Sequence, residues 1–470
     1  MPARSWLAEL RSRFGAGGAR ADGLGILAFE AAATMSRLVS LHRTLSDVEF
    51  RRLRADVLRA EGVARLTSPD QSFLLRLACC ELVADLDRAA ATVARLAARC
   101  RSCAEAPLLR DFDRLYAEAK RGRLAQLDVA VGFSRGAGKR LRKMERHVAA
   151  AARLYEEMDA LRELEASERR MENWKQHSGP IIPSQAAPGK KPAAEPGEKL
   201  MHELRAQRHK VRRLMEGSLW SVDAGRAAKL MAKSVLAVLA RISIAFGPFV
   251  PGLPSLTVGR APGHSSGPLH RSAMPGAALR HSAPIFGQKD AALSVLESTK
   301  PLASTIGGSG MELRYANLIL SVKTLLAALR PPAADGEEVQ EGMMDLSARD
   351  GLYKMLPVSI REAVNAKLRE SWRGQAVDEE AAKASRGEAE VVLRWLGPMA
   401  HDTVRWSDER SMERGQRFSM QPRALMVQTL HFADRKKADA AIVDVLVCLS
   451  CVCWYDDERR RLESVDWDDE

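Results

Sequence analysis

The placement of proline constrains the fold of this chain more than any other feature of its sequence. Of 21 prolines, thirteen lie in two stretches, 176–196 and 247–301, whereas the run 23–175 contains only Pro69 and Pro107. An interior proline costs a helix about 3 kcal/mol or more, because it removes an amide donor and clashes with the preceding turn. The sparse run can therefore be nearly continuous helix, and the two dense stretches, also rich in glycine and serine, are predicted to be disordered linkers.

Composition favours helices over sheets. Apolar residues make up 46% of the chain but aromatic residues only 5%, and alanine, leucine, arginine and glutamate are abundant. The sequence predicts an all-α protein with two helical domains and, between them, a long helical pair or coiled coil. The expected blocks are a flexible basic N-terminus (1–22), an N-terminal helical domain (23–80), continuing long helices (81–175), a linker (176–200), a helical segment (201–246), a disordered linker (247–303), a C-terminal helical domain (304–457) and an acidic tail (458–470).

A formal net charge of +12 predicts attraction to an anionic partner: nucleic acid, acidic phospholipid or an acidic protein. The densest positive cluster lies in GAGKRLRKMER and consists of Lys139, Arg140, Arg142 and Lys143. This cluster is a candidate nuclear-import address or acidic-lipid contact. The alternative is a solvated helix face. A second, looser basic run, RHKVRR, occupies 208–213.

Two glycine-containing motifs resemble catalytic or nucleotide-binding signatures, but each lacks the neighbouring sequence features that such a site requires. GHSSG at 263–267 has the form of a serine-hydrolase elbow, but no apolar strand precedes Ser265. IGGSG at 306–310 precedes a helix yet lacks the lysine of a phosphate-binding loop, so glycines that permit close helix packing explain it equally well. We therefore predict no catalytic residue and no cofactor.

The seven cysteines predict neither disulfides nor a zinc site. Cys100 and Cys103 are spaced C-x-x-C, and CLSCVC at 448–453 holds three more, but both groups lie in helical, apolar text without a second pair of ligands. Small buried apolar side chains are the better interpretation. A metal site built from His401, His431 and the late cysteines fits no common ligand spacing, so no metal is predicted.

The segment HDTVRWSDER provides the best candidate for binding a partner. On a helix, His401 and Arg405 lie one turn apart beside Trp406, and a guanidinium next to an aromatic ring can receive a phosphorylated or sulfated group. The alternative is a ladder of ion pairs in which Arg405 bridges Asp402 and Glu409 within the helix.

Several longer stretches carry a resemblance to a known family. LGILAFEAAATMSRLVSLHRTLSD and RLRADVLRAEGVARLTSPDQSFLLRLACCE lie in the first block, and TIGGSGMELRYANLIL, LYKMLPVSIREAV, WLGPMAHDTVRWSDERSME and QTLHFADRKKADAAIVDVL lie in the last. Together they resemble the two domains of the plant phytosulfokine simulator family, over 23–80 and 304–457. The sequence departs from the family at Arg314, where we expect histidine in the L-x-YAN motif.

The resemblance implies a non-enzymatic intracellular regulator or scaffold that promotes plant growth in phytosulfokine-type signalling. It also implies relatives at the plasma membrane and the nucleus, and signalling proteins as partners. Some relatives can be lipidated, whereas Pro2 predicts no N-myristoylation here. The N-terminus lacks the apolar core of a secretion signal, and the most apolar stretch, 227–247, is interrupted by three cations, so no spanning helix is predicted.

Two questions stay open at the level of sequence. A nuclear protein that contacts nucleic acid through its basic clusters is the alternative function, although no DNA- or RNA-reading module is recognisable and nucleic acid is the less favoured partner. Regulation by phosphorylation is expected in the second linker, where Ser272 and Ser282 lie in basic-flanked text. The oligomeric state is not indicated.

Overall fold

The computed structural model describes residues 23–99, 107–177, 196–249, 300–329, 346–371, 378–411 and 417–466. In these ranges the regular structure is helical, and pairing between extended segments is limited to two isolated bridges, Gly23 with Asp223 and Thr305 with Asp434. The all-α prediction is confirmed. The predicted N-terminal segment 1–22 and most of both linkers, 178–195 and 250–299, lie outside the described residues.

The α-helices are numbered along the chain. They are α1 (Leu27–Thr44), α2 (Asp47–Arg52), α3 (Glu61–Leu66), α4 (Gln71–Arg99), α5 (Pro107–Arg110), α6 (Phe112–Glu118), α7 (Leu124–Val131), α8 (Ala137–His177), α9 (Pro196–Gly217), α10 (Ala224–Phe246), α11 (Glu312–Ala328), α12 (Leu346–Met355), α13 (Val358–Ser371), α14 (Glu379–Arg410) and α15 (Arg435–Asp466). Short 3-10 turns include Leu219–Ser221, Gly307–Ser309, Met426–Gln428 and Leu430–Phe432.

The chain divides into two compact units, each assembled from separated stretches. Unit 1 contains 1–46, 85–241 and 409–423, and unit 2 contains 47–84, 242–408 and 424–470. Each of the sequence blocks 23–80 and 304–457 contributes residues to both units. The block boundaries drawn from the sequence stay a prediction.

Helix α1 is buried on most sides. Its buried residues include Met35 and Leu38 as well as small side chains such as Ala28, Ala32 and Ser36. Helix α8 packs along α1 in unit 1, where Phe29 meets Tyr155 with ring centroids 5.4 Å apart. Small side chains on α1 let neighbouring backbone approach closely.

A non-helical segment, 417–423, lies against α1 and is held there by side chains. The Ser36 hydroxyl donates to the carbonyl of Ser419, the Ser40 hydroxyl to that of Gln421 at 2.6 Å, and the Arg43 guanidinium to that of Met420 at 3.1 Å. Phe418 in this segment packs on Phe29 and Tyr155 of the same unit. Because buried carbonyls without donors are costly, these hydrogen bonds allow irregular backbone to enter a helical core.

The long helix predicted before residue 175 is confirmed as α8, and its long partner is α9. The Glu157 carboxylate accepts from Lys210 at 2.7 Å and from Gln207 at 2.8 Å. The residues that precede α8 form three shorter helices, α5 to α7. Helix α7 ends where Gly132 adopts a left-handed conformation (φ 64°) that glycine reaches without steric cost.

In unit 2, α15 packs against α11 and α13, and a non-helical stretch before it closes the core. The Tyr315 hydroxyl on α11 donates to Asp439 on α15 at 2.6 Å, and burial together with this carboxylate raises the pKa of Tyr315 to about 12. The amide of Leu430 donates to the buried Thr403 hydroxyl on α14 at 3.0 Å. Irregular backbone in this unit is thus also satisfied by helix side chains.

One described stretch is long and apolar enough to cross a membrane. This stretch is Arg435–Arg459 of α15, and it differs from the stretch 227–247 that the sequence analysis considered. Half of its most apolar 18-residue part is buried inside the fold. A core helix of this length meets the same criterion. The described residues therefore contain no clear transmembrane span.

Replacing Ser40 by alanine tests the attachment of segment 417–423 to α1. Loss of the donor leaves a partly buried carbonyl without its protein partner, so we expect Ser40→Ala to lower the free energy of unfolding by about 1 kcal/mol and to speed amide hydrogen exchange in 417–423. The matched control is Ser167→Ala, since the Ser167 hydroxyl bonds only within its own helix: it donates to the Glu163 carbonyl and accepts from Arg170. Equal exchange in both variants, measured by mass spectrometry, would contradict the proposed role of Ser40.

Candidate functional site

The predicted basic cluster lies at the start of α8, and the structure assigns its members different roles. Lys139, Arg142 and Lys143 are exposed. Arg140 is half-buried: its guanidinium donates to the carbonyl of Arg135 at 2.6 Å and to that of Phe133. Burial lowers the pKa of Arg140, and Asp128 opposes that effect. Arg140 therefore holds the turn that leads into α8, and three cations remain for contact with a partner.

We call Lys139, Arg142 and Lys143 the α8 basic surface. Within the described residues none of these three side chains makes an ion pair or a hydrogen bond. Arg135, Arg146 and Lys229 are further exposed cations of the same unit, and Lys233 donates to the carbonyl of Val131 at 2.8 Å. Burial lowers the pKa of Lys233, and the neighbouring Lys229 and Arg140 lower it further. Positive charge is therefore concentrated around the 131–143 turn.

An apolar side chain lies next to this positive charge. Val129, near the end of α7, is 92% exposed. An exposed apolar residue close to several cations is the combination found in surfaces that rest on acidic membranes, because the cations approach the headgroups while the apolar group enters the interface.

The second basic run, 208–213, differs because acidic residues of α8 compensate two of its cations. Arg208 lies 3.5 Å from the carboxylates of both Glu165 and Glu168, and Lys210 lies 2.7 Å from that of Glu157. These ion pairs join α9 to α8. The run is therefore a less suitable contact for an external anion than the α8 basic surface.

The candidate binding residues of HDTVRWSDER differ in their exposure to solvent. His401 is exposed, whereas Arg405 and Trp406 are half-buried, and the Trp406 ring packs on His431 with centroids 5.5 Å apart. Burial raises the pKa of Asp402, although Gln428 donates a hydrogen bond to its carboxylate. Trp406 thus contributes to packing inside unit 2. Partner binding by His401, Arg405 and Trp406 stays a prediction.

The glycines of IGGSG allow close packing. A Cβ atom on Gly307 would lie 2.5 Å from the carbonyl oxygen of His431, well inside van der Waals contact, and Gly308 leaves no room for one beside Leu302. The His431 ring lies 3.4 Å from the Glu312 carboxylate. The motif brings the start of α11 against the stretch before α15.

Arg314, where the resemblance leads us to expect histidine, has a structural role. Its guanidinium donates to the carbonyl of Met355 at 2.8 Å and to that of Leu356 at 3.3 Å, at the end of α12. Carbonyls at a helix C-terminus lack partners within the helix, so a cation there is favourable. Arg314 therefore stabilises the end of α12.

None of the described cysteines takes part in a disulfide bond. Burial raises the pKa of Cys79 and Cys80. Burial and, to a smaller extent, the negative charge of Glu388 raise the pKa of Cys448 to about 11. No group of three metal-ligating side chains occurs among the described residues. Cys100, Cys103 and the candidate phosphorylation sites Ser272 and Ser282, like Ser265, lie outside them.

Sequence reasoning did not identify a groove in unit 2. It has a volume of about 330 Å³ and lies between α11, α12, α13 and α15, with Leu352, Leu446 and Trp454 among its walls. The Arg361 guanidinium stacks over the Tyr353 ring at 4.6 Å on its border. Apolar positions at helical spacing predict burial, but whether the packed helices leave a space between them cannot be read from that spacing.

Comparison with known proteins gives two family matches. Residues 26–82 match a family described as a domain of unknown function, DUF3475, and residues 305–405 match one described as a protein of unknown function, DUF668. No solved structure matches the chain. The chain is thus an all-helical protein that carries two uncharacterised domains in the order expected from the sequence.

Three curated relatives come from Arabidopsis thaliana. PSK SIMULATOR 1 is 27% identical over 437 residues, PSK SIMULATOR 3 is 26% identical over 436, and PSK SIMULATOR 2 is 24% identical over 447. These alignments cover 90–91% of this chain and 55–58% of the relatives, so the chain spans somewhat over half their length. The resemblance seen in the sequence is confirmed: the chain is similar to the phytosulfokine simulator proteins over about nine tenths of its own length.

Alanine at Gly307 tests the packing role of IGGSG. Because the new Cβ would meet the His431 carbonyl, we expect Gly307→Ala to lower the free energy of unfolding by about 1–3 kcal/mol. The control is Gly387→Ala within α14, where nothing lies within 4 Å of the new atom; there alanine should raise stability by up to about 1 kcal/mol. Equal unfolding curves in urea for both variants would show that the close approach carries no energy.

Proposed function

We propose that this chain is a non-enzymatic regulator of plant growth that acts in phytosulfokine-related signalling. The proposal is supported by the names of three relatives aligned over about nine tenths of the chain. Its partners are signalling proteins, and its contact with acidic membrane lipid is made by the α8 basic surface. We place the protein at the periphery of the plasma membrane or in the nucleus, because the α8 basic surface can contact acidic lipid or act as a nuclear-import address.

The α8 basic surface is the observation on which the lipid contact rests. Its three cations have no acidic partner among the described residues, unlike Arg208 and Lys210, and Val129 is exposed nearby. A cation near an acidic membrane surface gains about 1 kcal/mol, so three cations contribute roughly 3 kcal/mol. This energy is smaller than that of a single lipid chain, so it contributes a weak, reversible and salt-sensitive attachment rather than permanent anchoring.

Neutralising the α8 basic surface tests the lipid contact. We expect Lys139→Gln, Arg142→Gln and Lys143→Gln together to weaken binding to vesicles rich in phosphatidylserine by roughly a hundredfold, since about 3 kcal/mol is lost. Binding is measured by co-sedimentation at several salt concentrations. Arg140 is retained, because it holds the preceding turn.

The control removes the same charge from elsewhere in unit 1. Arg205, Arg212 and Arg213 on α9 are exposed, and within the described residues they make no ion pair. Their triple replacement by glutamine should leave vesicle binding close to that of the native chain. Equal losses in both variants would show that net charge alone drives binding. Salt-sensitive capture of duplex DNA in place of vesicles would favour the nucleic-acid alternative.

The growth function needs a separate test in the plant. Lines that lack this protein should respond more weakly to applied phytosulfokine, measured as root elongation. The native chain should restore the response, and the variant with the neutralised α8 basic surface should restore it only in part. A full response in lines without the protein would contradict the signalling role and leave the lipid contact to be judged by the vesicle experiment.

A further inference from the structure

Four arginines of unit 1 surround one buried carboxylate. Asp85 is only 5% exposed and pairs with Arg88, one turn further along α4. Arg37 on α1 and Arg423 at the end of segment 417–423 both lie within electrostatic range of Asp85 and of each other, and Arg410 is near both. Because Asp85 pairs with Arg88, the charges of Arg37 and Arg423 form an excess of two positive charges that no ion pair within the described residues compensates.

Two of these arginines lack a partner. Within the described residues, neither Arg37 nor Arg423 makes a hydrogen bond or an ion pair, and the Nε atom of Arg37 is buried without an acceptor. Burial lowers the pKa of both side chains, and the attraction of Asp85 only opposes that effect. A partly buried charge is costly unless it is paired, so this arrangement calls for an additional anion.

The positions of both arginines are fixed by the backbone around them. Arg37 follows Ser36 on α1, whose hydroxyl donates to the Ser419 carbonyl, and Arg423 lies two residues after Gln421, whose carbonyl accepts from Ser40. The same hydrogen bonds that hold segment 417–423 against α1 therefore fix the backbone that carries both guanidinium groups, which lie within electrostatic range of each other. A site whose donors are positioned in advance loses little entropy when its ligand arrives.

We infer that Arg37 and Arg423, supported by Arg88 and Arg410, form a binding site for a phosphoryl group. A phosphate monoester carries close to two negative charges near neutral pH and offers three acceptor oxygens, which matches the charge excess. Guanidinium binds such oxygens through paired hydrogen bonds. The site lies apart from the α8 basic surface in the sequence, and it goes beyond the proposed lipid contact.

The test is calorimetric titration of the full chain with inorganic phosphate, in buffer of constant ionic strength. We expect one site per chain, and we expect the double variant Arg37→Gln with Arg423→Gln to bind roughly tenfold more weakly or worse. Without phosphate, the double variant should be at least as stable as the native chain, because it removes two partly buried charges. No binding to the native chain, or equal binding by the variant, would overturn the inference.

The matched control removes two exposed arginines from the same unit. Arg153 on α8 and Arg213 on α9 have no ion pair in the described part of the chain, and Arg153→Gln with Arg213→Gln should leave phosphate binding unchanged. If the first double variant does not fold, Arg37→Lys with Arg423→Lys keeps the charge but loses the paired donors. It should bind with intermediate affinity, and affinity equal to the native chain would overturn the inference.

Two further titrations distinguish the source of the phosphoryl group. A short peptide with one phosphoserine is compared with its unphosphorylated form and with inorganic phosphate. Tighter binding of the phosphopeptide than of inorganic phosphate assigns the site to a phosphorylated protein segment, and equal affinities assign it to small phosphate compounds. Binding of the unphosphorylated peptide at the same affinity would overturn a phosphoryl site.

Discussion

Buried irregular backbone is the constraint on which the rest of this structure depends. An all-helical core satisfies its own amides, but segments without helix must find donors and acceptors elsewhere, or their burial costs energy. In unit 1 the hydroxyls of Ser36 and Ser40 donate hydrogen bonds to the carbonyls of Ser419 and Gln421. In unit 2 the Thr403 hydroxyl accepts from the amide of Leu430, and the buried Glu81 carboxylate accepts from the amide of Met426 at 2.6 Å. Polar side chains at apolar positions of the helices thus determine where loops can enter each core.

The stretches that carry the family resemblance include residues that meet in the folded chain. Thr305 of TIGGSG bridges Asp434, Gly307 lies against His431, and Tyr315 bonds to Asp439, although more than a hundred residues separate each pair in the sequence. The identities of these residues follow from contact: glycine permits close approach, and a buried tyrosine needs an acceptor. These parts of the quoted stretches therefore specify packing in unit 2.

Basic side chains have different roles in this structure because their surroundings differ. Arg208 is compensated by glutamates, Arg140 holds a turn, Lys143 stays exposed, and Arg37 is partly buried without a partner. The cluster at 139–143 could be predicted from the sequence because its charges are adjacent along one helix. The arginines around Asp85 could not, because they come from three separated stretches and sequence distance carries no information on their approach.

By itself the sequence determined the helical class, the long helix α8, the family resemblance and the basic cluster at the start of α8, because proline placement, helical periodicity and local charge are properties of short stretches. Only the tertiary structure decided that Arg140 is structural, that Trp406 packs on His431, and that segment 417–423 joins α1. These outcomes depend on contacts between residues far apart in the chain. Their energies come from burial and from the pairing of polar groups, which local sequence patterns do not encode.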